Sequence, residues 1–415
     1  MSDERPKRPL PPGWRWAKLG EACQNSIKIR DPREAPDQDF LYVDISSVDS
    51  ERKAITAARA MKGQDAPSRA RQVIHTGDVL VATTRPNLNA VCLVPPELDG
   101  HICSTGFCVL RAAAEVTSLY LLFFVQSPHF VETISSLVTG TIYPAVRDGD
   151  ALEMQIPLPP LDEQRRITAR LSEQMAQVGR ARRAAEAEVE AVKALPAAFL
   201  RHIFESDEAK RWPRVSLGQL GDVAYGITKD PSRSSGWNQI PYLRVANVQA
   251  GWFDLEEVLT LHVDPSEYRE TLLKPGDVLF IEGNSKELVG RCALWDGQVT
   301  PCAHQNHVLR ARVKKGTAVS PSFVYLFARS PQGQEYFLSQ AKQTTGIATM
   351  NSSQLKSFPL PLPSFAEQQS VVGLLEAVFA HSERARQSAQ AHVDAVNALP
   401  GALLEEVFGC FGPPA

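Results

Sequence analysis

Three side chains in the second half of the sequence have a spacing that could bind a metal ion. Cys302, His304 and His307 lie close together, and thiolate sulfur and imidazole nitrogen are ligands that zinc prefers. A fourth ligand is absent nearby, and the segment is strand-like. Cys103 and Cys108 in the first half share no ligand pattern with it. We therefore predict buried structural side chains here and no metal site.

Carboxylates beside a lysine could support a metal-dependent nuclease, but the pattern is loose. Asp277, Glu282 and Lys286 fit it only in outline, and Asp78 in the first half has no such companions. The sequence also lacks the G-x-x-x-x-G-K-S/T loop of an ATPase. It lacks the Gly-rich loop and the Asn- or Asp-Pro-Pro-aromatic segment of a DNA adenine methyltransferase. We predict that the chain is not an enzyme; a single-chain nuclease is the enzymatic alternative, and it predicts DNA cleavage by the purified chain.

Residue types suited to nucleic acids collect in a few segments. Lys and Arg bind phosphates, whereas Arg, Lys, Asn, Gln, Ser and Thr recognise base edges. The segment 51–71 has six basic and two acidic residues, a net charge of +4, and the loop 84–89 is a comparable candidate. In the second half, 228–235 and 284–291 mix basic and amide side chains in turn-like settings. A solvated surface loop is the structural alternative for each, and for Trp237 we favour a place in the core. The candidate DNA-binding residues are Arg52, Lys53, Arg59, Lys62, Arg69, Arg71, Thr84, Arg85, Asn87, Asn89, Thr228, Lys229, Ser232, Arg233, Asn284, Lys286 and Arg291.

The overall composition limits where these contacts can arise. The 415 residues carry a net charge of −3, with a pI of about 6.3, so DNA contacts must come from local basic patches. Seven scattered cysteines favour a reducing compartment, and we predict a cytoplasmic protein. No apolar run approaches the roughly 20 residues of a membrane helix, and the charged N-terminus does not resemble a secretory signal.

The sequence repeats itself once, which predicts two halves of one fold. The tetrapeptide Gly-Asp-Val-Leu occurs at 77–80 and 276–279, and Val-Leu-Arg-Ala occurs at 109–112 and 308–311. A Pro-rich string ending in Glu-Gln occurs at 156–164 and again at 360–368. Sequence departs between the halves directly after the first tetrapeptide, which favours two different binding surfaces.

Each half combines a mosaic of short strands with a long helical stretch. Runs such as 40–48 and 78–83 are β-branched and aromatic, and 118–130 is a helical patch, which predicts an α+β class. Proline removes a donor and fixes φ, so we predict that the Pro-rich strings continue neither a helix nor the pairing of a sheet and that they are hinges. The predicted segments are 1–155, 156–205, 206–358 and 359–415.

The two helical stretches have heptad spacing, which predicts a coiled-coil seam. Arg182 and Arg386 take equivalent inner positions, where an arginine fixes register, faces a partner or extends its charged end to water. Ser382 is the weak layer of the second stretch. The residues predicted for the seam and for partner docking are Leu171, Met175, Val178, Arg182, Val189, Val192, Leu375, Phe379, Arg386, Val393 and Val396. The heptads further assign Ala185, Phe199, Ala389 and Leu403 to the seam.

Two halves of this kind, each with a helix entered through Ile-Pro-Leu-Pro-Pro-Leu-Asp-Glu-Gln or its counterpart, resemble the specificity subunits of type I restriction-modification systems. The resemblance covers essentially the whole chain. It implies two tandem target recognition globules that bind a bipartite, asymmetric site on double-stranded DNA. It also implies an antiparallel coiled coil with pseudo-twofold symmetry as a spacer.

The resemblance further implies partners for an otherwise non-catalytic chain in anti-phage defence. Two DNA-adenine methyltransferase subunits dock on the helices, and restriction and translocase subunits join them. No cofactor is expected in this chain; S-adenosylmethionine, ATP and magnesium are implied for the partners. A structural scaffold that binds proteins but no DNA is a third hypothesis, and salt-sensitive DNA binding would argue against it.

Overall fold

The computed structural model describes residues 8–24, 27–138, 144–228, 238–263, 271–284, 289–344 and 347–411. The chain forms two compact units: unit 1 is Met1–Glu186 with Ala391–Ala415, and unit 2 is Ala187–Gln390. Both units combine short, mostly antiparallel strands with helices, which confirms the predicted mixture of α and β structure. No helix in the described ranges combines the length and the apolar composition that crossing a membrane requires.

Unit 1 is built mainly from short strands, most of which precede the helix Ser118–Gln126. Its strands are Arg15–Lys18, Asp39–Val43, Val48–Asp49, Ala54–Ile55, Arg59–Lys62, Ala70–Val73, Val79–Ala82, Val91–Leu93, Ile102–Ser104, Phe107–Leu110 and Gln155–Leu158. Its short α-helices are Leu19–Ala22, Ser118–Gln126, Pro128–Ser136 and Asp148–Leu152, and 3-10 helices occur at Pro32–Glu34, Ile45–Ser47, Gly63–Asp65, Pro86–Leu88 and Pro96–Leu98. The predicted helical patch is thus two helices, because Pro128 begins a new one.

Unit 2 repeats this order of elements. Its strands are Arg214–Ser216, Gly221–Ala224, Asn238–Leu243, Leu259–Val263, Val278–Ile281, Gly283–Asn284, Cys292–Leu294, Ala303–His304, Val308–Val313, Lys342–Thr344, Ile347–Thr349 and Pro359–Pro361. Its short helices are Ala209–Arg211, Leu217–Leu220, Pro321–Ala328, Pro331–Gln340 and Ser352–Lys356. A parallel strand pair also recurs, with Tyr42 opposite Ile102 in unit 1 and Tyr242 opposite Ala303 in unit 2.

A buried aspartate of the repeated Gly-Asp-Val-Leu tetrapeptide pairs with an arginine in each unit. Asp78 accepts from Nε and Nη2 of Arg111 at 2.8 and 2.7 Å, and Asp277 accepts from the same atoms of Arg312 at 2.6 Å each. The two arginines are 201 residues apart, whereas the Val-Leu-Arg-Ala tetrapeptides match at 199. The equivalence of those tetrapeptides is therefore wrong by two residues. Side chains alternate along a strand, so a slip of two keeps the same face inward.

The Pro-rich strings form strands, and the prediction that they could not pair in a sheet is wrong. Gln155–Leu158 pairs antiparallel with Arg15–Lys18, and Pro359–Pro361 pairs with Arg214–Ser216. Each is a ribbon of two strands, in which alternate N–H groups point away from the partner. Proline is tolerated at such positions because no hydrogen bond is lost there.

A buried glutamine fixes the beginning of each long helix. Nε2 of Gln164 donates to the carbonyl oxygens of Glu115 and Pro159 at 2.8 and 2.9 Å, and Oε1 accepts from the N–H of Thr117 at 2.9 Å. Gln368 repeats all three contacts in unit 2 at 2.9 to 3.0 Å. Both side chains are fully buried. The Glu-Gln of the repeated string therefore joins the helix to the strand before it and to the segment 115–117 or its counterpart.

The two long helices span Leu161–Phe204 and Phe365–Phe408, 44 residues or about 66 Å each. Most predicted seam residues are buried or half-buried, but the last layer is wrong: Phe199 is exposed, and the fully buried positions are Leu200 and Leu404. A helix returns to the same face after about 29 residues, or eight turns, and 29 residues separate Leu200 from Leu171. The helices thus drift off a strict heptad near their internal prolines.

Each unit has a core that takes in the beginning of one long helix and the end of the other. In unit 1, Leu171 and Leu404 belong to one apolar cluster. In unit 2, Leu200 and Leu375 do the same. Phe408 packs edge-on against Tyr120 at 5.3 Å between ring centroids, as other aromatic rings pack around Phe204 in unit 2.

Replacing the buried glutamine should destabilise unit 2 selectively. Gln368→Ala leaves one N–H and two carbonyl groups without their partner. We therefore expect the free energy of unfolding to fall by at least about 2 kcal/mol. Gln369→Ala is the matched control, because Gln369 is exposed on the next position and should change stability by less than about 0.5 kcal/mol. Urea unfolding followed by circular dichroism measures both. Equal midpoints for the two variants would contradict this role.

Candidate nucleic-acid interface

The basic segment 51–71 is only partly available to a ligand. Three of its six basic side chains are ion-paired within unit 1: Arg52 with Asp49, Arg59 with Asp44, and Arg71 with Asp31. The Arg59 guanidinium also lies over the ring of Tyr42, 5.5 Å from its centroid. Lys62 and Arg69 are exposed, and neither forms an ion pair within the described ranges. These two carry the charge that phosphates could bind.

Lys53 is directed into the unit rather than into solvent. Its Nζ donates to the carbonyl oxygen of Asn89 at 2.6 Å, and its backbone is left-handed, with φ of 54°. Burial lowers the pKa of this ammonium to about 8, since a charged group loses hydration inside the protein. Its donor group is used to hold a neighbouring loop.

The loop 84–89 has an unusual backbone and exposed polar side chains. Pro86–Leu88 is a 3-10 helix, flanked by Arg85 with φ of 51° and Asn89 with φ of 46°. The side chains of Arg85 and Asn87 are exposed, whereas Asn89 donates from Nδ2 to a carbonyl of the helix Ser118–Gln126 at 3.3 Å. Thr84 is half-buried and forms a strand bridge. The loop thus presents some predicted residues outward and uses the others internally.

The candidates of unit 2 fall largely outside the described residues. These are Lys229, Ser232, Arg233 and Lys286, together with Trp237, which we assigned to the core. Thr228, the last described residue before Lys229, is exposed. The backbone of Asn284 pairs with Ala348 at a strand end.

Arg291 supports a turn within unit 2. Its Nη2 donates to the carbonyl oxygen of Val245 at 3.0 Å, and Nη1 donates to Oε1 of Gln249 at 3.2 Å. Burial lowers the pKa of this guanidinium. Lys53 in unit 1 and Arg291 in unit 2 thus both hold a loop through a side-chain donor. Lys53 donates to a carbonyl later in the chain, whereas Arg291 donates to one earlier in the chain.

Trp252 is an exposed aromatic residue that is absent from the predicted DNA-binding set. It is 59% exposed and follows Gly251, whose φ of 102° permits a sharp turn. Arg52 is its counterpart in unit 1 at an offset of 200 residues. A glycine directly before two aromatic residues was the available signal. Exposed rings of this kind can stack on nucleic-acid bases.

The turns around residues 51 and 251 are each joined to a long helix. In unit 1, Nη2 of Arg182 donates to Glu51 at 2.7 Å, so this predicted inner arginine binds the strand-rich part of its own unit. In unit 2, Arg329 lies between the rings of Tyr325 and Phe379, at 5.2 and 5.3 Å. Tyr325 donates its hydroxyl to the carbonyl of Gly251 at 3.2 Å. Arg386, the predicted equivalent of Arg182, pairs with Glu383 of its own helix.

The constellations that could support catalysis are used in other contacts. Asp277 is buried in its ion pair with Arg312, and Glu282 accepts from His307 at 2.7 Å. Burial raises the pKa of the Cys302 thiol to about 12, which disfavours the thiolate. Across the part of the chain that the structure describes, no group of three His, Cys, Asp or Glu residues is placed to hold a metal ion.

His304 instead satisfies a buried carbonyl group. Its Nδ1 donates to the carbonyl oxygen of Val308 at 2.7 Å, and the side chain is fully buried. In unit 1, Phe107 has the strand position that Val308 has in unit 2. The carbonyl oxygen of Phe107 accepts from Nε2 of Gln72 at 2.8 Å. Burial lowers the pKa of His304 to about 4, so the imidazole is neutral near pH 7.

Comparisons with known proteins agree on one class of relative. A family model described as the type I restriction modification DNA specificity domain matches residues 209–390. The type I restriction enzyme EcoKI specificity subunit of Escherichia coli (strain K12) is 28% identical over 356 residues, 81% of this chain and 75% of that protein.

Two solved structures are similar over nearly the whole chain. A chain described in work on the complex assembly and conformational transition of the type I R-M system is 31% identical, with a TM-score of 0.79, and covers 98% of this chain and 99% of its own. The HsdS subunit from Thermoanaerobacter tengcongensis is 30% identical, with a TM-score of 0.64 and the same coverage. Both likenesses extend over the two units.

The buried imidazole predicts a pH dependence of stability in unit 2. The pKa of His304 is about 4 in the folded chain against an ordinary value of 6.5, so between these values the unfolded chain binds the extra proton. Stability should therefore fall as pH decreases from about 6.5 to 4, by up to about 3 kcal/mol from this group. His304→Gln should remove that component while keeping a donor for Val308. Urea unfolding across this pH range measures it.

The exposed His202 supplies the control for that measurement. His202→Gln should retain the wild-type pH slope, because it leaves the buried imidazole in place. An unchanged slope in His304→Gln would show that the group does not titrate as described.

Proposed function

The chain belongs to the family of type I restriction-modification specificity subunits, and we propose that it recognises a bipartite, asymmetric DNA sequence and docks methyltransferase subunits on its long helices. As a specificity subunit it is a non-catalytic DNA-recognition component of a larger enzyme. We place it in the cytoplasm, where its DNA target lies; seven free cysteines fit that compartment.

One observation carries the proposal of an asymmetric site: the two units share their internal frame but differ in sequence directly after the shared tetrapeptide. Both have the buried Asp–Arg pair and the buried glutamine. The segments after the shared tetrapeptide differ, with Arg85 and Asn87 exposed in unit 1. Two copies of one frame with different contact residues would recognise different half-sites.

We further propose that the long helices pair antiparallel and space the two half-sites, with pseudo-twofold symmetry. Supporting this, the core of unit 1 includes the beginning of the first helix and the end of the second, and the core of unit 2 includes the reverse. Helices about 66 Å long fit a spacer between two recognition surfaces.

Docking of two methyltransferase subunits is the third part of the proposal, and two exposed leucines support it. Leu195 is 38% exposed and Leu399 is 43% exposed. They are 204 residues apart, the offset of the helix repeat, and each precedes an internal proline. Two equal apolar positions suit two copies of one partner. We assign S-adenosylmethionine, ATP and magnesium to the methyltransferase, restriction and translocase subunits.

Exchange of the first half tests whether the chain has two recognition surfaces. The chain is co-expressed with its methyltransferase partner, and methylated adenines are mapped by sequencing. Replacing residues 15–155 with the same region of another specificity subunit should change one half of the methylated motif and keep the other. The idea fails if the whole motif stays unchanged or if methylation proceeds without this chain.

Charge at the exposed leucines tests the docking positions. Leu195→Glu or Leu399→Glu should each lower the number of methyltransferase copies per chain from two to one, since a carboxylate opposes apolar contact. The double variant should lose both copies. Ala194→Glu, which places the same charge about a quarter turn away, is the matched control and should keep both. Two copies bound to the double variant, measured by native mass spectrometry, would exclude this surface.

A further inference from the structure

We propose that the loop 84–89 recognises bases of the half-site assigned to unit 1, with Arg85 and Asn87 as contacting residues and Lys53 as a positioning residue that contacts no DNA. The inference rests on the proposed function and divides its predicted DNA-binding set into contacting and supporting residues.

Left-handed backbone gathers at this one loop. Lys53, Arg85 and Asn89 have φ of 54°, 51° and 46°, and within the described ranges they are the non-glycine residues with positive φ. Lys53 contacts Asn89 directly, although 36 residues separate them. Such conformations crowd the Cβ atom and persist only where surrounding contacts enforce them. Their concentration in one place indicates a loop whose shape is imposed.

The contacts that impose this shape come from three sides. The N–H of Arg85 donates to the carbonyl of Pro144 at 2.9 Å. The side chain of Asn89 donates to the carbonyl of Gln126, and Lys53 donates to the carbonyl of Asn89. A 3-10 turn with buried Pro86 lies between these anchors. The loop is therefore rigid before any ligand binds, which lowers the entropy lost on binding.

Two side chains of the loop 84–89 have no partner among the described residues. Arg85 and Asn87 are exposed, and neither side chain forms a hydrogen bond or an ion pair with another described residue. Leu88 beside them is 56% exposed. Arginine pairs with the O6 and N7 acceptors of guanine, asparagine pairs with N6 and N7 of adenine, and an apolar group contacts the thymine methyl. A fixed loop with these three groups suits the edges of base pairs in a major groove.

Lys53 acts through Asn89 and not through DNA. Its Nζ lies 2.6 Å from the carbonyl oxygen of Asn89 within the unit. Removing that donor would free one end of the loop and leave Arg85 and Asn87 in place but less well oriented. The expected defect is a loss of discrimination at the same bases that those two residues contact.

Methylation mapping with single variants tests this division of roles. The full chain is co-expressed with its methyltransferase partner, carrying Arg85→Ala, Asn87→Ala, Lys53→Met or Lys53→Arg. Each alanine variant should lower discrimination at least about tenfold at one or two positions of the half-site that residues 15–155 determine, with the other half unchanged. Lys53→Met should relax those same positions, and Lys53→Arg should restore them, because arginine can still donate to Asn89.

Other results would overturn the inference. Lys28→Ala removes an exposed cation elsewhere in unit 1 that has no ion pair with a described residue, and it serves as the charge-matched control; relaxation equal to that of Arg85→Ala would show a general charge effect. If Arg85→Ala releases the methyltransferase and leaves the motif intact, the loop contacts a protein. A full motif in both alanine variants refutes the inference alone. Absence of a bipartite motif in the wild-type chain refutes the proposed function as well.

Discussion

Each long helix begins at a buried amide whose three hydrogen bonds all go to backbone groups. Gln164 joins its helix to the proline strand and to the segment 115–117, and Gln368 does so in unit 2. Because the side chain is fully buried, each bond that is lost leaves a polar group without water as a substitute. The direction of the helix relative to its unit therefore depends on this contact, and so does the position of every surface that the unit supports.

Duplication of the frame did not require duplication of each side chain within it. The carbonyl of Phe107 accepts from Gln72, whereas its counterpart on Val308 accepts from His304. Likewise Lys53 donates to the carbonyl of Asn89, later in the chain, whereas Arg291 donates to the carbonyl of Val245, earlier in the chain. Burial demands that each carbonyl has a donor, but it does not specify which residue provides it. The two units have accordingly diverged while keeping one topology.

The basic residues of unit 1 illustrate why charge alone does not define a binding surface. The segment 51–71 has a net charge of +4, yet Arg59 and Arg71 are paired with aspartates from outside it. A paired cation has already exchanged water for a carboxylate, so it contributes less to a new contact. Three exposed cations have no ion pair in the described ranges and are free to bind phosphates or bases: Lys62, Arg69 and Arg85.

The sequence by itself determined the mixture of α and β structure, the repeat, the long helices and the family resemblance, because these follow from periodicity and from repeated strings. Tertiary structure decided the rest. It paired the proline strings in ribbons, buried Leu200 and Leu404 in place of Phe199 and Leu403, and shifted the Arg111 equivalence to Arg312. It also separated supporting residues such as Lys53 from exposed ones such as Arg85. Those outcomes depend on contacts between distant residues, which local sequence does not encode.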